Sequence, residues 1–222
     1  LGYSLSKLKE DTICILIFAS KLRPGILRKL LCLYKKSDQL LKSGRFGEGL
    51  WPLHPASGQF IHWLIRFHGL TRGLEVGAGI GFSTAWIVSA LLSPPCKGVE
   101  GSLVSLEYFL PKVKQWEKHM RLLFGEGYEK TVTMIPSSFE LWLRNAGRKK
   151  FDFVFFDQRK EDYLAHLKLL LPRLKKGAFI VADNVISHAK FCQDYLDFVK
   201  KDRRFRSVTL DIGQGIEVSQ FS

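Results

Sequence analysis

Leu74-Glu75-Val76-Gly77-Ala78-Gly79-Ile80-Gly81-Phe82-Ser83-Thr84 sets three glycines at alternate positions between two apolar segments. An apolar run ends at Val76, glycines follow at 77, 79 and 81, and a helix-compatible segment runs from Phe82 to Leu92. The pattern predicts a strand, a tight turn and a helix. Glycines at that spacing admit positive φ and let a ligand approach the main chain, while the free N–H groups of the next helix face the same space. A cofactor is therefore expected over this turn.

The neighbouring residues narrow the choice of cofactor. A pyrophosphate-binding turn prefers G-x-G-x-x-G. Here the third glycine comes one residue early and an acid, Glu75, precedes the first. A carboxylate there would repel a pyrophosphate and suits a cationic ligand. The pattern E-x-G-x-G-x-G resembles motif I of the class I methyltransferases that use S-adenosylmethionine, a cofactor carrying an ammonium beside a sulfonium. An ordinary strand-to-helix turn of another α/β protein is the alternative.

Working outward, the pattern from Ser4 to about Ser43 is helical and basic, interrupted at Pro24-Gly25, and predicts two helices around a turn. Gly44 to Pro55 reads as a loop containing Trp51 and His54, and Ala56 to His68 resumes a helical period. Beyond the glycine turn, Leu103 to Leu106 predicts a strand ending at Glu107, placed to accept from the ribose hydroxyls of a nucleoside cofactor or to charge the N-terminus of the helix near Pro111. Lys112 to Phe124 predicts a helix and Thr131 to Ile135 a third strand, followed by Ser137 and Ser138, which could reach an adenine edge or cap the next helix. Phe151 to Phe156 and Ala178 to Ala182 read as strands buried on both faces, separated by a helix from Tyr163 to Leu171. Arg206 to Ile212 and Ile216 to Ser219, joined by Gly213-Gln214-Gly215, predict a closing hairpin. Alternating strands and helices of this kind define an α/β, doubly wound, mostly parallel sheet, with ligands at the carboxyl ends of the strands. Residues 1–54 are expected to form a basic helical extension and 55–222 the catalytic domain.

The 222 residues suffice for one well-buried α/β domain, and 46% hydrophobic with 25% charged residues excludes disorder and fibrous architectures. A net charge of +13 favours anionic partners: nucleic acid, an acidic membrane surface or an anionic substrate. Cys14, Cys32, Cys96 and Cys192 are scattered, without C-x-x-C, which excludes a zinc-ribbon or disulfide framework and fits buried thiols in a reducing cytoplasm. The apolar run Ile13 to Ala19 is far short of the ~20 residues that cross a bilayer, and Glu10 and Asp11 before it do not suit a signal peptide. A cytoplasmic protein with no transmembrane segment is expected.

Asp157, Asp183 and Asn184 fall at predicted strand ends on the cofactor side, with Lys160 three residues beyond Asp157. Oxygen donors without Cys or His suit a hard cation such as Mg²⁺, Mn²⁺ or Ca²⁺. Phe155-Phe156-Asp157-Gln158-Arg159-Lys160-Glu161-Asp162-Tyr163-Leu164, followed by Gly177-Ala178-Phe179-Ile180-Val181-Ala182-Asp183-Asn184-Val185, resembles the cation-dependent O-methyltransferases, the family of catechol and caffeoyl-coenzyme A O-methyltransferases. Ser57-Gly58-Gln59-Phe60, Glu107 and the Gly-Gln-Gly hairpin fit the same pattern, which runs from about Pro55 onward. The resemblance implies a seven-stranded Rossmann-like sheet, Asp157, Asp183 and Asn184 as metal ligands, and Lys160 as general base. It also implies that Glu75, Gly77, Gly79, Gly81, Ser83, Glu107, Ser138 and Asp157 bind the cofactor. Many relatives read D-A-D-K where this chain has Asp157-Gln158-Arg159-Lys160, so a guanidinium replaces a carboxylate beside the site. Three functions follow as expectations: O-methylation of a catechol-like small molecule, O-methylation of a tRNA hydroxyuridine held by the basic N-terminal helices, or cofactor binding without catalysis. A homodimer is the expected assembly.

Overall fold

The computed structural model describes residues 24–42, 52–92 and 100–222. Among these, seven strands form one sheet in the order β3-β2-β1-β4-β5-β7-β6. The strands are β1 (Arg72–Val76), β2 (Ser102–Leu106), β3 (Val132–Ile135), β4 (Phe151–Phe156), β5 (Leu174–Asp183), β6 (Phe205–Leu210) and β7 (Ile216–Phe221). β1 to β5 pair in parallel, and β7 runs antiparallel between β5 and β6. The order reverses between β1 and β4, the switch point at which doubly wound sheets bind ligands.

Alternation along each strand divides the core into two layers. Phe153, Phe155, Phe179 and Val181 face one side, where α1 (Pro24–Lys42), α2 (Pro55–His68), α3 (Phe82–Leu91) and α4 (Leu110–Phe124) cover them. Leu74, Val76, Val154, Phe156, Ile180 and Ala182 face the other, under α5 (Phe139–Asn145), α6 (Tyr163–Leu170) and α7 (Ala189–Lys201). A parallel sheet with both faces covered requires near-continuous apolar strands, as Phe151–Phe156 has. The interruption, Asp152, sits at the base of β4 and accepts from the Thr71 and Arg72 N–H groups at 3.0 and 2.7 Å, and from Lys175 at 2.8 Å. It ties β1, β4 and β5 together where the strands begin.

The helix expected to follow Pro24-Gly25 is α1, whose Leu30 and Leu33 enter the first core layer. The helix expected before it lies outside the described residues, as do Trp51, Cys14 and Cys96. Cys192 is buried, but Cys32 is exposed, contrary to the expectation of buried thiols. His54 caps α2, its Nδ1 accepting from the Ala56 N–H at 3.2 Å. No helix among the described residues is long and apolar enough to cross a membrane.

His62 of α2 is 2% exposed, and burial, aided by nearby Arg66, pushes its pKa down to about 4. Its unfolded value near 6.5 lies above this, so between the two the unfolded chain binds the extra proton. Stability is therefore full above pH 6.5 and is lost on acidification toward pH 4. Unfolding by denaturant should show a loss of about 2 kcal/mol between about pH 7 and pH 5 that His62→Phe removes. An identical pH slope in the variant would contradict the assignment.

Candidate active site

The site is built on the turn between β1 and α3. Gly77 adopts φ 93°, and a Cβ there would lie 2.5 Å from the Asp157 carbonyl oxygen, so only glycine lets this turn close on the end of β4. The Gly77 and Ala78 N–H groups donate to the Leu106 carbonyl at 3.0 Å, and the Asp157 N–H donates to the Val76 carbonyl at 2.9 Å. The carboxyl ends of β1, β2 and β4 thus become one rigid rim. Above it opens a cavity of about 470 Å³, within the range of small-molecule and cofactor sites.

Of the residues singled out in the sequence, Gly77, Gly79, Ser83, Glu107, Ser138, Asp157, Lys160 and Asn184 line this cavity. The structure does not bring Glu75 there. Its carboxylate is fully buried beneath the turn and accepts from Ser83 Oγ and Thr84 Oγ1 at 2.6 Å and from Ser105 Oγ at 2.5 Å. Burial raises its pKa against the pull of those hydroxyls. Glu75 braces the start of α3 against β2, and the period of two along β1, which points Leu74 and Val76 to the opposite layer, explains why. Gly81 also lies outside the lining; its φ of 92° caps α3, and a Cβ would meet Trp116 at 2.8 Å.

Glu107 is 6% exposed and accepts from the Gly79 N–H at 3.0 Å and the Phe109 N–H at 2.9 Å, so one carboxylate ties the tip of the glycine turn to the end of β2 while facing the cavity. Both sequence alternatives for Ser138 are present in one residue: its Oγ caps α5, accepting from the Leu141 N–H at 3.3 Å, and it lines the cavity. Phe139 and His166 stack there with ring centroids 4.1 Å apart. His166 is held by Glu140 at 2.8 Å and Gln158 at 3.1 Å. Sequence reading missed this group because its members come from three separated segments.

At the other end of the cavity, Lys160 Nζ donates to Asp157 Oδ1 at 2.8 Å and lies 5.3 Å from the centre of the Tyr163 ring. Tyr163 is fully buried, and its hydroxyl lies 3.1 Å from the Phe156 carbonyl and 3.0 Å from the Asp183 carbonyl, linking the ends of β4 and β5. Burial raises the pKa of Asp157, and burial together with Asp157 pushes Asp183 up to about 7. Asp183 Oδ1 is buried and has no hydrogen-bond partner. Next to it, Asn184 is the sole non-glycine residue with positive φ, 62°, among the described residues, a strained backbone of the kind that clusters at functional sites. Its Nδ2 donates to Gln214 Oε1 at 3.0 Å, which turns the amide nitrogen toward the β6–β7 loop and its oxygen away. Gly213 of that loop packs so tightly on Ser57 and His54 that a Cβ would come within 2.6 Å of Ser57 Oγ. The expected Gly-Gln-Gly hairpin therefore closes over the site through Gln214.

No group of three His, Cys, Asp or Glu side chains suited to a metal occurs among the described residues. Asp157, Asp183 and Asn184 stand at the ends of β4 and β5, and an orphaned buried carboxylate oxygen among oxygen donors is what a hard divalent cation would satisfy.

Residues 74–185, half of the chain, match the family model described as a methyltransferase domain. The caffeoyl-CoA O-methyltransferase 1 of Zea mays is 26% identical over 184 residues, covering 72% of this chain and 67% of that protein. The catechol O-methyltransferase of Mycobacterium tuberculosis is 31% identical over 129 residues, covering 58% of this chain and 54% of that protein. Among solved structures, the O-methyltransferase TomG of Streptomyces achromogenes, in complex with SAM, superposes with a TM-score of 0.76 at 17% identity, covering 99% of this chain and 100% of that one. A putative O-methyltransferase from Klebsiella pneumoniae gives 0.73 at 21% identity, covering 93% and 94%. With the switch-point cavity, the glycine turn and this match, the chain belongs to the class I S-adenosylmethionine-dependent methyltransferases, in their O-methyltransferase family.

Proposed function

We propose that this enzyme transfers the methyl group of S-adenosylmethionine to a hydroxyl of a small catechol-like acceptor, with a divalent cation held by Asp157, Asp183 and Asn184. The observation that carries the proposal is the Lys160–Asp157 pair in the cavity wall, with the unpartnered Asp183 Oδ1 buried just behind it at the end of β5, outside the lining itself. The names of the catechol and caffeoyl-CoA relatives support the acceptor class.

In this reading the residues that would hold the cofactor line the cavity from Ser138 to Asp157. Gly77, Gly79 and Ser83 would border its aminoacyl end, and Glu107 would accept from its ribose hydroxyls. When bound, S-adenosylmethionine supplies a methyl carbon on a cationic sulfur, which leaves as the neutral thioether once the new oxygen–carbon bond forms. A bound Mg²⁺ would act as a Lewis acid, making the acceptor hydroxyl easier to deprotonate. Lys160 Nζ would take the hydroxyl proton, and Asp157, in contact with it at 2.8 Å, would hold the resulting ammonium. Tyr163 ties the ends of β4 and β5 together, which would hold Lys160 and Asp157 fixed relative to a bound acceptor. Lys160 and Asp157 are only 13% and 14% exposed, which limits competing water.

Glu107→Ala should weaken S-adenosylmethionine binding by about 1–3 kcal/mol, the scale of a lost hydrogen bond to a charged group. Calorimetric titration measures it, and unchanged affinity would remove Glu107 from the cofactor site. The function itself is tested by methyl transfer from labelled cofactor to a panel of catechols with Mg²⁺ present. Transfer to one hydroxyl of the vicinal pair is expected; transfer to monophenols with equal efficiency would contradict the acceptor class.

A further inference from the structure

The site just described makes no use of the net charge of +13. Its own wall carries Glu107, Glu140, Asp157, Glu161 and Asp162 against Lys112, Arg159 and Lys160. Six further cations stand together at the opposite end of the sheet. In a parallel sheet the N-terminal ends of the strands lie together, and the helices returning from the carboxyl ends finish at the same level. Arg72 opens β1, Arg148, Lys149 and Lys150 precede β4, Lys176 stands in the first turn of β5, and Arg203 precedes β6. These strands are neighbours apart from the intervening β7, and all six side chains are exposed.

None of the six forms an ion pair with a carboxylate among the described residues. The acids at this rim are already engaged, Asp152 with Lys175 and Asp202 with Arg204. Glu126 and Glu129 belong to the connection before β3, at the far edge of the sheet, whereas Glu100 lies two residues before Ser102, the β2 partner of Arg72.

Two large apolar side chains flank the cations. Phe67, in the last turn of α2, is 67% exposed, and its neighbour His68 rests on Phe179 of β5 with ring centroids 4.3 Å apart. Leu169, in the last turn of α6 on the opposite layer, is 50% exposed. A nucleic acid would want a cationic groove with stacking surfaces, yet the groove between α6 and α7 near this rim is lined by Asp194, Asp197 and Asp202. Cations on a rim with bulky apolar side chains between them match a lipid interface, where Lys and Arg meet anionic headgroups and Phe and Leu enter the acyl boundary.

We propose that the base of the sheet is a peripheral docking surface for anionic membranes. Docking there points the carboxyl ends of the strands away from the bilayer, so the cavity stays open to water-soluble acceptors.

Co-sedimentation with phosphatidylcholine vesicles, with and without phosphatidylserine as the minority lipid, tests this near about 0.1 M salt. Binding is expected only with phosphatidylserine, and raising the salt should release it. The triple variant Lys149→Gln, Lys150→Gln, Lys176→Gln should bind about a hundredfold more weakly, at roughly fivefold per cation near a charged surface, with an unchanged thermal midpoint. Phe67→Gln should also weaken binding at that same ionic strength, because the apolar contact adds to the electrostatic one. Failure to sediment with the anionic vesicles, equal binding by the triple variant, or retention on RNA without retention on vesicles would each overturn the proposal.

Discussion

Lys160→Ala should lower turnover at least about a hundredfold while cofactor affinity changes little, the usual scale for a positioned general base. Lys160 stands at the first residue of a short 3₁₀ turn, Lys160–Asp162, directly after the end of β4. That turn keeps Nζ on Asp157 and over the Tyr163 ring, so the amine has a defined position before any acceptor arrives. Removing it leaves the glycine turn and Glu107 untouched, since their hydrogen bonds run to β2 and α4 rather than to this turn. Single-turnover measurements with saturating S-adenosylmethionine separate the two effects. A variant that loses cofactor binding along with turnover would make Lys160 a part of the cofactor cradle instead of the base. Lys160→Arg should not rescue, because a guanidinium cannot give up its proton at any working pH.

The double variant Asp183→Ala, Asn184→Ala should lose methyl transfer altogether, beyond the ~10–100-fold that outer-shell changes cost a metal site. Asp183 is 3% exposed, its Oδ1 has no partner, and Asp157 stands close enough to raise its pKa, so two carboxylates confront each other, with Lys160 beside both and Lys112 acting on Asp157. Such an arrangement is costly unless something positive completes it. Deleting Asp183 should therefore raise stability or leave it unchanged in the absence of divalent metal, while lowering Mn²⁺ affinity measured by electron paramagnetic resonance. Unchanged Mn²⁺ affinity with lost activity would assign Asp183 to the acceptor instead of the cation.

Much of this architecture is legible in the chain because parallel strands buried on both faces must be apolar throughout. Phe151–Phe156 was expected with those bounds, and β1, β2 and β3 are marked by apolar runs ending in Val76, Leu106 and Ile135. Less was legible where local pattern and tertiary packing diverge. α7 carries a helical period in Cys192, Tyr195, Leu196 and Val199, but Cys192 itself has non-helical φ and ψ, a break that the sequence does not show. β5 begins at Leu174, earlier than the apolar run at Ala178, because its first residues pair at the charged base of the sheet.

Within the site, spacing alone could associate Asp157 with Lys160 and Asp183 with Asn184, since each pair is local. It could not reveal that Glu75 turns inward to three hydroxyls, which depends on Ser105 of a neighbouring strand. Nor could it find the Phe139–His166 stack or Gln214, whose partners lie 27 and 30 residues away in sequence. Such contacts exist only once the sheet has formed.

The central claim is that one cavity performs metal-assisted methyl transfer, and the most direct test is the rate of transfer to a catechol in EDTA and on adding Mg²⁺ back. Cofactor binding, followed in parallel by calorimetry, should survive chelation, because the glycine turn and Glu107 contain no proposed metal ligand. EDTA should abolish transfer, Mg²⁺ or Mn²⁺ should restore it, and S-adenosylmethionine affinity should stay within a few fold throughout. Full transfer rates in EDTA, with the cofactor still bound, would contradict it.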